Sequence, residues 1–153
     1  MADTFTQIYI QAVFVVQDRF CIISDVWKDE LYKYIAGIIK NNKHKLLAIN
    51  GVGDHVHILL GMKPSQSLSD LMQDIKAYSS KWINDRKLVR GKFSWQSGYG
   101  AFSYSYSQVD TIIKYIMNQE QHHHKKTFKE EYIELLKIFA IQFEEQYLFN
   151  WVE

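Results

Sequence analysis

LLAINGVGDHVHILLGM, residues 46–62, holds two short apolar runs, Leu46 to Val52 and His55 to Met62, separated by Gly53-Asp54. A glycine–aspartate pair between such runs supplies the positive φ that a tight hairpin turn needs, so the stretch reads as two antiparallel strands with the histidines opening the second. Working outward, TQIYIQAVFVV (6–16) is rich in β-branched and aromatic residues and is closed by the polar Gln17-Asp18-Arg19, which makes it a strand. Between it and the hairpin, Trp27, Leu31, Tyr34, Ile35, Ile38 and Ile39 recur at three- and four-residue steps and stop at Asn41-Asn42, the pattern of an amphipathic helix.

Beyond the hairpin, Ser67 with Asp70 reads as a helix cap, followed by Leu68, Leu71, Met72, Ile75, Tyr78, Ser79 and Trp82 on one face. Gly91 to Gly100 reads as a loop, and Ala101 to Tyr106 alternates aromatic and small residues as a fourth strand would. Ser107 with Asp110 is expected to cap a third helix running through Ile112, Ile113, Tyr115, Ile116 and Gln119. Thr127 with Glu130 is expected to cap a fourth, through Tyr132, Leu135, Leu136 and Phe139. The order β-α-β-β-α-β followed by helices is α+β. It predicts a ferredoxin-like split βαβ, with an antiparallel sheet of four to five strands, helices on one face, and C-terminal helices beyond. No repeat or linker interrupts it, so residues 1–153 are expected to form one domain.

Composition narrows the class. With 47% apolar and 23% charged residues the chain resembles ordinary soluble proteins. No apolar run approaches the roughly 18 to 20 residues that cross a bilayer, and the polar start around Asp3, Thr4, Thr6 and Gln7 does not resemble a signal peptide. A cytoplasmic protein with no membrane partner is expected. Cys21 is the single cysteine, which excludes an intrachain disulfide and a cysteine-built zinc site; any metal must use histidine, carboxylate or amide ligands. The net charge of +1 is unevenly spread. Lys76, Lys81, Arg86, Lys87, Arg90 and Lys92 make a basic middle opposed only by Asp85, and Glu130, Glu131, Glu134, Glu144, Glu145 and Glu153 an acidic C-terminal part.

His55 and His57 are two apart on a strand, so both imidazoles point to one face while Val56 points to the other. Two such imidazoles make a partial metal site. Tyr115 and Gln119, four apart on a helix, share a face, so the Gln119 carboxamide is placed to add an oxygen ligand and Tyr115 to act as a nucleophile beside the ion. On spacing alone Tyr115 reads first as one more core aromatic of an amphipathic helix. His122, His123 and His124 fan around a helix and cannot all face one ion; they read as a solvated helix end, and Asp54 as a turn residue. The basic middle interleaves with Tyr78, Trp82, Phe93 and Trp95, a composition suited to holding single strands by phosphate contact and stacking, although Tyr78 and Trp82 also fit a buried helix face.

Taken together, GDHVHILL (53–60), FSWQSGYGAFSYS (93–105) and YIMNQ (115–119), with the N-terminal TQIYIQAVF, resemble the single-tyrosine HUH transposases of small bacterial insertion sequences, the insertion-sequence-200-like family. The resemblance runs in order over nearly the whole chain. It implies that His55, His57 and Gln119 hold Mg²⁺ or Mn²⁺, and that Tyr115 attacks a DNA phosphate to leave a 5′-phosphotyrosine and a free 3′-OH. It also implies a substrate of single-stranded DNA hairpins at transposon ends, with Lys76, Lys81, Arg86, Lys87, Arg90 and Lys92 as DNA contacts, and a homodimer whose sheets join. Ligand chemistry alone would favour Mn²⁺ over Mg²⁺, since imidazole suits transition metals better. Two other readings remain open from sequence: a domesticated, non-cleaving binder of single-stranded nucleic acid, and a His-x-His enzyme acting on a small molecule, against whose all-β barrel architecture the long helical patterns speak.

Overall fold

The structure, a computed structural model, describes residues 2–18 and 22–151, and within these the side chains of His122 and His124 are not described. Arg19 of the expected closing turn, Cys21, and Glu153 of the acidic C-terminal part lie outside the described residues.

Strand β1 (Tyr9–Val15) is followed by α1 (Lys28–Asn41), the hairpin β2 (Lys45–Val52) and β3 (His55–Gly61), α2 (Leu68–Asp85) and β4 (Gly100–Tyr104). Three further helices close the chain: α3 (Val109–Met117), α4 (Gln119–Lys125) and α5 (Phe128–Ile138). The four strands form one sheet in the order β2-β3-β1-β4 with every neighbouring pair antiparallel, as the split βαβ reading requires.

Alternation divides the sheet's side chains. Ala12 and Phe14 of β1 and Val56, Ile58 and Leu60 of β3 face Leu31, Ile35 and Ile39 of α1 and Leu71, Met72, Ile75 and Ile83 of α2. Apart from Ala12, each such side chain buried in full stabilises the fold by about 1.5 to 3 kcal/mol. The opposite face carries Gln11, Val13, Val15, His55, His57 and Phe102, and the C-terminal helices cover it. Val13, Val15 and Phe102 pack on Phe128, Tyr132 and Leu136 of α5 and on Phe149, while Ala48 and Leu59 pack on Ile116 of α3. Helices thus lie on both faces, α1 and α2 on one and α3 to α5 on the other. That explains why β1 and β3 are apolar almost without interruption.

Two glycines shape the hairpin. Gly53 has φ of +58°, the left-handed conformation of the turn. A Cβ on Gly51 would lie 2.0 Å from the His55 carbonyl oxygen, so only glycine lets the strands approach there.

Ser67 caps α2 by accepting from the Asp70 amide at 3.1 Å, and Thr127 caps α5 by accepting from the Glu130 amide at 3.2 Å, both as expected. The cap between β4 and α3 differs. Ser105 and Gln108 form the capping box, on a single 3₁₀ turn (Tyr106–Gln108), and β4 accordingly ends at Tyr104 rather than Tyr106. The helix expected to carry both Tyr115 and Gln119 is also broken. It stops at Met117, and α4 restarts at Gln119 after Asn118. Asn50 of β2 holds the break, its amide donating to the carbonyls of Ile116 at 3.0 Å and Met117 at 3.2 Å.

Candidate functional site

Val13 and Val15 of β1 stand opposite His57 and His55, so the two histidines occupy the middle of the sheet, on the face covered by the C-terminal helices. Both are almost fully buried, at 1% and 0% exposure. Their ring nitrogens share the space with a carboxylate absent from the sequence-based site, that of Glu131 on α5. One ligand atom from each of His55, His57 and Glu131 lies within 4.8 Å of the others. His57 Nε2 is 3.0 Å from Glu131 Oε1, and His55 Nε2 is 3.3 Å from Gln119 Oε1. A ring of two imidazole nitrogens, a carboxylate and a carboxamide oxygen suits a divalent cation.

Each imidazole is gripped from behind. His55 Nδ1 lies 2.8 Å from the Asp54 carboxylate, so the turn residue also orients a candidate ligand. His57 Nδ1 lies 2.9 Å from the Gln11 amide of β1. The Phe128 ring stacks on His55, with centroids 3.8 Å apart and planes inclined by 7°.

Tyr115 arrives on α3, its ring edge-on to His57 at 6.0 Å. Its hydroxyl lies beside the Glu131 carboxylate and the Gln119 carboxamide, close enough to feel both. The α3–α4 break therefore does not separate the pair expected to act together. Burial, then the Glu131 charge, pushes the Tyr115 phenol well above the ordinary tyrosine range, so it is fully protonated near neutrality. Burial likewise lowers His57 below the usual histidine range and keeps it neutral, which leaves a lone pair on one ring nitrogen. For Glu131, burial alone would favour the acid. The nearby His123 imidazole and the hydrogen bond with His57 overbalance it and hold the group well below the usual carboxylate range.

Of the three consecutive histidines, His123 turns inward, its Nε2 3.2 Å from Gln119 Oε1 and 3.7 Å from Glu131 Oε2. The Gln119 carboxamide is fully buried, its oxygen crowded by these imidazoles and its nitrogen without a hydrogen-bond partner. A buried carboxamide with its oxygen so crowded and its nitrogen idle is set to present that oxygen to a cation.

The basic residues lie elsewhere. Helix α2 packs across the sheet from the histidines, and the half-buried Lys76 ammonium on it donates to the carbonyls of Gln96 and Gly98, holding the loop before β4. Lys81 pairs with Asp85 at 2.7 Å, and Arg86 with Glu30 at 3.6 Å while lying over the Trp82 ring. Lys87 and Lys92 line a shallow surface cleft after α2, and Arg90 stands between them in sequence. Of the interleaved aromatics, Phe93 and Trp95 are core residues, Trp82 packs against the core, and Tyr78 is exposed.

Glu131 left a signal in the sequence. It falls three residues after Phe128 and four before Leu135, on the apolar stripe of α5, where a solvated glutamate does not belong. Gln11, alone among the apolar residues of β1, is a second such signal.

The sequence profile described as "Transposase IS200 like" matches residues 4–119, three quarters of the chain and all of its sheet. The chain belongs to the IS200-like transposase family. Two solved structures share the transposase's fold. One is a protein assigned as a transposase from Deinococcus radiodurans R1, with a TM-score of 0.60, 22% identity, and coverage of 78% of this chain and 95% of its own. The other is a REP-associated tyrosine transposase bound to a REP hairpin, with a TM-score of 0.57, 12% identity, and coverage of 80% and 74%. Comparison with curated proteins gives no match. The transposase is thus an enzyme acting on DNA with a tyrosine and a metal-binding cluster, and α5, which brings Glu131 to that cluster, lies beyond the matched segment. No helix among the described residues is long and apolar enough to cross a membrane.

Proposed function

We propose that the transposase cuts and rejoins single-stranded DNA at the ends of an insertion sequence, with Tyr115 as the nucleophile. The observation that carries this reading is the placing of the Tyr115 phenol beside Glu131, Gln119 and His57, which sets it against the cluster that His55 completes. The donors fit Mg²⁺ or Mn²⁺: His55 and His57 offer nitrogen, Glu131 and Gln119 oxygen, and the idle Gln119 nitrogen leaves that carboxamide free to turn to an ion. When bound, such an ion polarises the scissile phosphate and draws charge from its oxygens.

The protein's own groups do the rest. The Tyr115 oxygen attacks phosphorus, the bond from phosphorus to the 3′ oxygen breaks, and the products are a 5′-phosphotyrosine and a 3′-hydroxyl that takes up a proton. Glu131 lies beside the phenol to hold its proton in the resting site, and Phe128, stacked on His55, keeps water from the histidines. Rejoining reverses the same bonds. The relative solved with a REP hairpin supports hairpin-marked single strands as substrate. Lys81, Arg86, Lys87, Arg90 and Lys92 are proposed phosphate contacts, whereas Lys76 is committed to its loop. Residues 1–153 are proposed to work as a single cytoplasmic domain that pairs with a second copy. Sheets joining across a dimer would use β2 or β4, the two edge strands.

The test is to incubate the protein with labelled single-stranded DNA from both flanks of its gene and Mg²⁺ or Mn²⁺, then separate the products on a denaturing gel. A labelled protein adduct that disappears with Tyr115→Phe and with chelator is expected. Hairpin binding with no adduct from the wild type would overturn the cleavage reading and leave a domesticated binder.

A further inference from the structure

The two metal-donor histidines are held from behind by different chemistry. Asp54 offers His55 Nδ1 a carboxylate oxygen as acceptor, which favours the ring that carries its proton on Nδ1 and turns Nε2 to the site. His57 has no such partner. Its Nδ1 meets Gln11, a fully buried amide in the middle of β1, and the other end of that amide meets the Tyr104 hydroxyl of β4 at 2.6 Å.

Packing does not explain a glutamine there. The neighbours on its face, Val13 and Val15, are apolar, and a buried amide is costly unless its groups are matched. Both ends are matched, one by a ligand's ring nitrogen and the other by a hydroxyl that can donate or accept. In the arrangement described, the Gln11 nitrogen donates to Nδ1 and the Tyr104 hydroxyl donates to Oε1. That places the His57 proton on Nε2, pointing at Glu131 Oε1. A ring in this tautomer satisfies the carboxylate and has no lone pair on Nε2 for a cation. With the amide turned over, Oε1 accepts from Nδ1–H, the Tyr104 hydroxyl accepts from the amide nitrogen, and Nε2 is freed. Both arrangements keep the Gln11 amide paired at its two ends.

We propose that Gln11, backed by Tyr104, is a positioning residue that sets the tautomer of His57 and so governs how tightly the site takes a divalent cation. The proposal rests on the metal-dependent reading above. Gln11→Glu offers His57 only an acceptor and holds the Nδ1–H form, whereas Gln11→Leu leaves Nδ1 without a partner. Tyr104→Phe removes the group that accepts from the turned amide.

The experiment uses the full chain and two readouts: Mn²⁺ titration followed by electron paramagnetic resonance, and the His57 tautomer from long-range ¹H–¹⁵N correlations without metal. Mn²⁺ affinity is expected to fall about 10- to 100-fold in Gln11→Leu, the loss usual when the partner of a ligating histidine is removed. It should fall less in Tyr104→Phe and be retained in Gln11→Glu, with the Gln11→Glu spectrum showing Nδ1–H where the wild type shows Nε2–H. Wild-type Mn²⁺ affinity in Gln11→Leu, or an unchanged tautomer in Gln11→Glu, would overturn it. Should Gln11→Leu fail to fold, the Gln11→Glu spectrum still decides. A wild type that binds no Mn²⁺ would instead sink the metal-dependent reading, while the metal-free spectra still report on Gln11.

Discussion

Ser79 shows how a single polar atom can matter far from the site. Fully buried in α2, its hydroxyl donates to the Ile75 carbonyl and accepts from the Trp95 indole nitrogen at 2.9 Å. Trp95 pairs with Val16 at the end of β1 and packs edge-on against Phe14 at 4.8 Å. Ser79→Ala would strand the indole N–H at a cost of about 1 to 3 kcal/mol. Equilibrium urea unfolding is expected to show that loss, and a smaller one when Trp95→Phe is already present; equal losses in both backgrounds would mean that the hydrogen bond contributes nothing. At this scale the sequence was legible in part. His55 and His57 stand out by their strand spacing and their chemistry, and Tyr115 through the YIMNQ motif that carries the family resemblance. Glu131, Gln11 and His123 each look ordinary beside their sequence neighbours and become unusual only when the sheet and α5 bring them within hydrogen-bond range.

Among the elements, the strands and the first two helices follow directly from the alternation and the three- and four-residue steps, and the caps at Ser67 and Thr127 from local chemistry. The break between α3 and α4 does not, because its cause is a side chain on β2, more than sixty positions away in sequence. Asn50→Ala removes two neutral hydrogen bonds, expected to cost about 1 to 2 kcal/mol. It also lets Gln119 drift from the histidines. Adduct formation should drop at least tenfold while hairpin binding in chelator is unchanged; an unaffected adduct yield would show that the break holds itself. Gly51→Ala tests the hairpin more severely. The added methyl would press on the His55 backbone, so loss of Mn²⁺ binding is expected even where the circular dichroism spectrum is native.

For the molecule as a whole, the decisive feature is that the site is shared between the segment matched by the family profile and the α5 that follows it. Metal binding and docking of the C-terminal part should therefore stabilise each other. Mn²⁺ at a hundred times its dissociation constant is expected to add about 2.7 kcal/mol to the unfolding free energy. Phe149→Ala, which empties a nearly buried ring position against α5, should subtract about 3 to 5 kcal/mol. Calorimetry with and without chelator checks the first; a smaller Mn²⁺ shift in Phe149→Ala than in wild type checks the coupling. The path of residues 139–151 was not legible in advance. It is irregular apart from one 3₁₀ turn, so it offers no period to read, and its place is fixed by Phe149 and by one distant side chain.

That side chain is Gln96, whose amide both accepts from the Asn150 backbone nitrogen at 2.7 Å and donates to its carbonyl at 2.8 Å, beside the Val16 end of β1. Phe5, 89% exposed, precedes the other end of that seven-residue strand, about 20 Å away at the usual rise per residue. The Asn150 side chain is exposed and takes no part in the clasp. Two fluorophores on cysteines at positions 5 and 150, with Cys21 replaced, would therefore sit within energy-transfer range across a rigid strand. The distance between them, read as DNA is added, would report whether the Gln96 clasp on the C-terminal segment holds through the reaction.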